Sequence, residues 1–409
     1  MRANISGNYN TAVGAGASGQ NANGIHNTAV GNGALNPNLT SYLTAVGSGA
    51  LASNTTGTGE AVGYSALTNN TTGTNNVAFG YYALLSNTYG TINTGVGNQS
   101  LRSNTTGVNN IALGYCSLGS NTIGCNNIAQ GYKALALNTT SYGNIAQGYK
   151  ALYCNTTSVN NIAIGSSALM YSNAGLPNIA VGASALYCNT IGCLNTAIGR
   201  TALRCNTSGN NNVAIGDSAL YNNNTGNSNT AVGVTALLCN SIGSCNTAVG
   251  YQSQIATTTG GQNTSVGILS LATNTNGYFN IAVGDRALTA NTTGNSNSGV
   301  GTYALLSNTT GSSNIALGES ALRSNTTASY NTAVGYQAGY NNTAEEITAF
   351  GVAALYTNTT GTYNTGIGRG ALYGNTTGGS NTAVGRQALA SNTTASNNTA
   401  VGYQAGYSN

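Results

Sequence analysis

A five-residue motif, N-T-A-V-G, recurs so regularly that it decides what this chain can fold into. With its glycine as position 0, the motif falls at Gly14, Gly31, Gly47, Gly63 and Gly80. It continues every seventeen residues to Gly335, then to Gly351, Gly368, Gly385 and Gly402, making twenty-four units. Only the spacings ending at Gly47, Gly63 and Gly351 are sixteen. Helix-pair solenoids need repeats above about 30 residues, so this period is too short for them. It fits one coil of a β-solenoid. The expectation is an all-β fold, a parallel β-solenoid of about 24 coils of 17 residues, with residues 1–409 as one continuous array without a linker. Each coil is expected to hold a strand at −4 to −1, a corner at the glycine, a second strand at +1 to +5, and a loop. Coils stacked about 4.8 Å apart would give a rod on the order of 115 Å long. Each would be stabilised mainly by its neighbours, and the ends would need caps.

The columns of this repeat carry physical information. Position −2 holds Ala in twenty units, Gly in three (Gly95, Gly299, Gly366) and Ser265 in one; position +3 is always Ala or Ser, and +4 is Leu in twenty. Position −1 is apolar almost throughout. In a strand, −3 and −1 share one face and −2 points to the other. Nothing larger than Ala or Ser stands at −2, so another surface must come very close there. Charges sit elsewhere, at +1 (Arg200, Asp217, Arg369), +2 (Lys133, Lys150, Arg286) and +5 (Arg102, Arg204, Arg323), and those columns are expected to face water. Many Tyr share them. Asn fills −4 in twenty-one units, and the exceptions, Leu43, Gly59 and Ile347, are the three units with the short spacing. That coincidence predicts a special corner at −4 with the Asn stacked as a ladder, as in other stacked parallel strands; an ordinary turn Asn is the alternative. The N-T-T-G segment at +7 to +10 reads as turn chemistry.

Composition excludes several classes. Only 4% of residues are charged and the net charge is +4, which leaves no nucleic-acid footprint. No apolar run approaches the ~20 residues of a membrane span. The opening MRANISGNYN lacks the apolar core of a secretory signal, so export is expected to be non-classical or the numbering to start inside a longer precursor.

The N-T-A-V-G-x-x-A-L unit resembles the repeat of trimeric autotransporter adhesin heads. It is closer still to the N-T-A-I-G-Y-x-A-L-x-x-N-T-T-G arrays of bacterial, phage and large-virus fibre proteins. The resemblance covers practically the whole chain. It implies a left-handed parallel β-roll, three chains side by side around a threefold axis, and a place for the Ala column where coils or chains meet. The sequence departs from the adhesins in showing no signal, stalk coiled coil, membrane anchor or chaperone domain, and it stops mid-unit at GYQAGYSN. It therefore reads as the body of a longer fibre, or a fragment of one.

Catalytic chemistry is not legible. His26 has no acid or thiol partner nearby and reads as a turn or surface residue. Glu345 and Glu346, in a shortened loop, suit a solvated turn better than a cation site. No cofactor and no metal are expected. Eight cysteines, Cys116, Cys125, Cys154, Cys188, Cys193, Cys205, Cys239 and Cys245, are disulfide candidates. Cys188 with Cys193, Cys239 with Cys245 and Cys116 with Cys125 would close local bridges, while Cys188 and Cys205 would stack in adjacent coils. Zinc is disfavoured, because no C-x-x-C or neighbouring His is present. Disulfides would imply an oxidising, extracellular setting; otherwise the thiols are small residues standing in for Ser or Ala. N-x-[ST] acceptors at Asn54, Asn104, Asn138, Asn155, Asn308 and Asn392 are glycosylation candidates, with plain turn chemistry as the alternative. Gln130 and Gln147 replace the apolar −1 residue in consecutive units; if −1 is buried, they form a paired amide ladder inside the rod.

Three functional readings follow. The first is a structural fibre, a rigid self-associating homotrimer that also joins end to end, on a cell or virion surface. The second is an adhesin whose Tyr columns recognise glycans or a host surface. The third, an ice-binding solenoid, is disfavoured because the two Thr of N-T-T are adjacent and so cannot share a strand face.

Overall fold

The computed structural model describes residues 6–173 and 176–407. The chain divides into two units, Met1–Ser208 and Gly209–Asn409, where the repeat alone suggested one array. Each unit holds twelve of the twenty-four strands, and no helix occurs among the described residues. Every strand has three residues, −3 to −1, except Gly59–Val62 and Asn76–Phe79, which have four.

Within each unit, successive strands pair in parallel and in register, so each column stacks on itself. Ile128, Ala129 and Gln130 face Ile145, Ala146 and Gln147, and Thr230, Ala231 and Val232 face Thr247, Ala248 and Val249. The fold is a parallel β-solenoid with one coil per repeat. Register survives the short spacings, with Ala29 opposite Ala45 and Ala333 opposite Ala349. In two of the three short coils the turn absorbs the lost residue: Asn38 and Asn342 close onto carbonyls two residues on, Thr40 and Ala344, where Asn104 closes onto Gly107, three on. In the third, Asn54 keeps the three-residue closure, onto Gly57, and the residue is lost after the turn.

The core lies inside each coil. Ala129 (−2), Ala134 (+3) and Leu135 (+4) are all 0% exposed, and the pattern repeats through both units. The close approach at −2 is made by +3 of the same coil and +4 of the coil before: a Cβ on Gly95 would lie 3.0 Å from Ser100 Oγ and 3.4 Å from the Leu84 side chain. Of the two places expected for the Ala column, where coils or where chains meet, the structure shows the first.

The segment +1 to +5 is a turn, not the expected second strand. Its backbone enters the left-handed region twice, as at Lys133 (φ 53°) and Leu135 (φ 50°). For non-glycine residues this costs about 1–2 kcal/mol each. Two gains offset it. The Leu135 amide donates to the Ala151 carbonyl at 2.9 Å, and the Lys133 amide to the Tyr115 carbonyl at 2.9 Å. The left-handed turn also swings Leu135 inward beside Ala134, and full burial of a Leu side chain contributes roughly 1.5–3 kcal/mol. This is why +3 and +4 both point inward, where a strand would have set them on opposite faces. At position 0 only glycine fits: Gly131 has φ +133°, and a Cβ there would lie 2.5 Å from the Gly148 carbonyl oxygen.

Candidate functional site

The Asn ladder expected at −4 is present. Asn93 donates its backbone amide to Asn76 Oδ1 at 3.0 Å and its side-chain amide to the Gly107 carbonyl at 2.8 Å. A second ladder stands at +7, where the sequence suggested only a turn. Asn87, Asn104 and Asn121 each donate to the Oδ1 of the preceding member at 2.8 Å. The signal was there to read, because +7 is Asn in twenty-one of the twenty-three units that reach it within the described residues.

The second ladder corrects the reading of the sequons. Asn54, Asn104, Asn138, Asn155, Asn308 and Asn392 all belong to it, and every one is 0% exposed. Their amide nitrogens are spent on neighbouring coils and turn carbonyls, as in Asn308 to Asn291 Oδ1 and to Gly311, both at 2.9 Å. A glycan on any of them would have to occupy the coil interior.

Gln130 and Gln147 do pair, with Gln147 Nε2 donating to Gln130 Oε1 at 3.1 Å. The pair lies on the exposed outer strand face, because −1 points away from the core; the expected interior ladder is an outer one. All eight cysteines carry free thiols, and none lies at bridging distance from another. The thiols of Cys154 and Cys188 are pushed up, first by burial; at Cys188 the Cys205 thiol in the next coil adds to it. His26 is an exposed ring stacked between Tyr9 and Tyr42, with centroids at 4.8 and 5.3 Å. Glu345 and Glu346 are exposed. No cluster of three or more metal-ligating side chains occurs among the described residues, and no helix among them is long and apolar enough to cross a membrane.

Three surface columns are organised. Tyr115, Tyr132 and Tyr149 at +1 form a ring stack with centroids 5.3 Å apart. Tyr340, Tyr356 and Tyr373 at +5 form another at 5.1 and 5.2 Å. Cations lie against these rings: Lys133 Nζ is 5.4 Å from the Tyr132 centroid, and Arg323 packs between Tyr303 and Tyr340 at 5.3 and 5.5 Å. Tyr132, foremost, holds the Lys133 ammonium above the usual lysine range. None of the charged side chains named at +1, +2 and +5 is buried.

The third organised column is the outer strand face, −3 and −1. Its apolar side chains project outward, with Phe79 56%, Ile281 44%, Leu317 48% and Phe350 55% exposed. Glu60 is the only charge in either column along the whole repeat.

One interior stretch departs from the pattern. Gln254 replaces Leu at +4, Ser253, Ser265 and Ser270 line the same space, and Thr257 replaces the +7 Asn. Gln254 Nε2 donates to the Thr247 carbonyl at 2.9 Å and to Ser265 Oγ at 2.8 Å. Gln254 Oε1, Thr257 Oγ1 and Asn240 Oδ1 are buried there without partners.

Comparison with protein-family models and with curated proteins finds no match to this chain.

Proposed function

We propose that this protein is a structural fibre protein, the self-associating shaft of a cell-surface appendage or virion fibre, in which three copies pack side by side through the outer strand faces. The observation that supports this is the exposed −3/−1 stripe. Along twelve coils it presents an apolar strip on the order of 500 Å² per unit, at the upper end of what monomers leave uncovered. It is rigid, because each strand is locked in register with its neighbours, and almost uncharged. A second copy carries the same stripe. Three chains presenting it inward would cover it and leave the +1, +2 and +5 columns, where charge and Tyr collect, in water. The coil interior is filled by stacked Ala and Leu side chains and amide ladders, which suits a load-bearing stack.

Light scattering after size exclusion tests this. The expected mass is three times the 40.8 kDa chain mass. A triple variant, Ile281→Lys, Ile315→Lys and Leu317→Lys, is expected to give one chain with an unchanged far-ultraviolet β signature, since all three side chains are outside the core. A wild-type mass of one chain would overturn the reading.

A further inference from the structure

The +5 column is bulky through most of the first unit, but two consecutive coils have almost no side chain there. Gly119 and Ala136 stand between Arg102 and Tyr153. The result is a recess of about 300 Å³ on the surface, with Arg102 at one end, Tyr153 at the other and Lys133 along its side. Ser103 and Ser120 contribute hydroxyls to its lining. Its size is at the lower end of small-molecule sites.

The electrostatics around it have one sign. From residue 61 to residue 208 the sequence contains no Asp or Glu, but it has Arg102, Lys133, Lys150, Arg200 and Arg204. The unit's single carboxylate, Glu60, is on the strand face, in a different column and at least two coils away. Arg102 and Lys133 therefore meet in the recess without an acidic partner, and Lys150 Nζ lies 5.6 Å from the Tyr153 ring centroid, adding a third cation at the aromatic end. A guanidinium offers a fork matched to a carboxylate or sulfate. An aromatic ring with one cation over it, Lys150, and hydroxyls along the wall suits a sugar ring on its other face.

We propose that this recess binds one saccharide unit bearing a carboxylate or sulfate, with the sugar ring on Tyr153, the anionic group on Arg102 and Lys133, and the ring hydroxyls toward Ser103 and Ser120. The site is in the +2 and +5 columns, off the −3/−1 face, so it stands whether or not the three-chain reading holds.

The test is titration of the full chain, followed by nuclear magnetic resonance of the saccharide, with methyl glucuronide, a sulfated methyl glucoside, methyl glucoside and sodium sulfate. Methyl glucuronide or the sulfated glucoside is expected to bind at least tenfold more tightly than methyl glucoside, and the stronger of the two identifies the anionic group. Ala136→Tyr fills the recess with a residue the same column already accepts at Tyr153, and it is expected to abolish binding without changing the thermal midpoint. Arg102→Gln with Lys133→Gln is expected to erase the preference for the charged sugars. The proposal is overturned by equal binding of charged and neutral sugars, by binding that Ala136→Tyr leaves intact, by sulfate competing alone as well as the sugars do, or by no binding of either charged sugar.

Discussion

Asn104 donates its side-chain amide to Asn87 Oδ1, one coil away, at 2.8 Å, and the same amide closes its own turn onto the Gly107 carbonyl at 3.1 Å. One side chain therefore fixes both the shape of a turn and the spacing of two coils. Asn104→Ala leaves buried acceptors and the Asn121 amide short of partners, at a cost of about 1–3 kcal/mol for each unsatisfied group. The control is Thr157→Ala, which removes an exposed hydrogen bond to the Asn173 carbonyl and is expected to cost below about 0.5 kcal/mol. Urea unfolding of the two variants measures the difference.

The same geometry predicts the fate of the sequons. Chain secreted in folded form from a glycosylating host is expected to carry no glycan at Asn54, Asn104, Asn138, Asn155, Asn308 or Asn392. Peptide mapping by mass spectrometry checks each position. Occupancy at any of them in soluble, protease-resistant protein would show that its coil tolerates an open ladder.

Gly131→Ala is expected to destabilise the first unit by more than the ~1 kcal/mol typical of a point substitution, because the Cβ would meet the Gly148 carbonyl oxygen at 2.5 Å. The space there is set by coil stacking, so adjacent coils must separate. Hydrogen exchange is expected to show lost protection at Ile128–Gln130 and Ile145–Gln147 before it appears in distant coils.

Thr257→Asn should do the opposite. Asn240 Oδ1 has no hydrogen-bond partner, and the new amide would supply one while its own oxygen accepts from Asn274. A gain of about 1–2 kcal/mol follows from two added hydrogen bonds, read as a higher thermal midpoint. Gln254→Leu, tested separately, removes the orphaned Gln254 Oε1 and restores the residue that twenty other coils use.

Thiol reactivity follows from burial. Desolvation disfavours the thiolates of Cys154 and Cys188, raising both above the ordinary cysteine range, and the thiolate is the reacting species. Near pH 8 both are expected to react with iodoacetamide more slowly than the exposed Cys245, with rates read by mass spectrometry. The sign for stability is the same. The folded chain holds these protons to higher pH than the unfolded chain does, so stability is full below the unfolded thiol value and declines as pH rises above it.

Legibility differed by column. The twenty-four glycines and the Ala, Leu and Asn columns were enough to read a stacked parallel coil and the −4 ladder, because a register repeated that often leaves few other foldings. The short spacings at Leu43 and Ile347 were readable as changes at the corner, and both side chains are buried there, at 1% exposure. The second strand was misread because Ala and Leu side by side look like alternating strand positions. Nothing in the letters of Leu135 shows a left-handed φ. The burial of the sequon Asn was hidden for a related reason: N-T-T-G has the same composition in a solvated turn as in one that folds inward.

What the sequence alone determined is the period, the parallel register and the identity of the columns, since these depend only on recurrence and on residue size. What only the tertiary structure decided is direction: that −2 closes against +3 of its own coil and +4 of the coil before, that Gln130 and Gln147 point outward, and that the +7 Asn point in. The reason is that a side chain's direction depends on φ and ψ, and at +2 and +4 those angles are held in the left-handed region by hydrogen bonds to the neighbouring coils, which exist only once the coils have stacked.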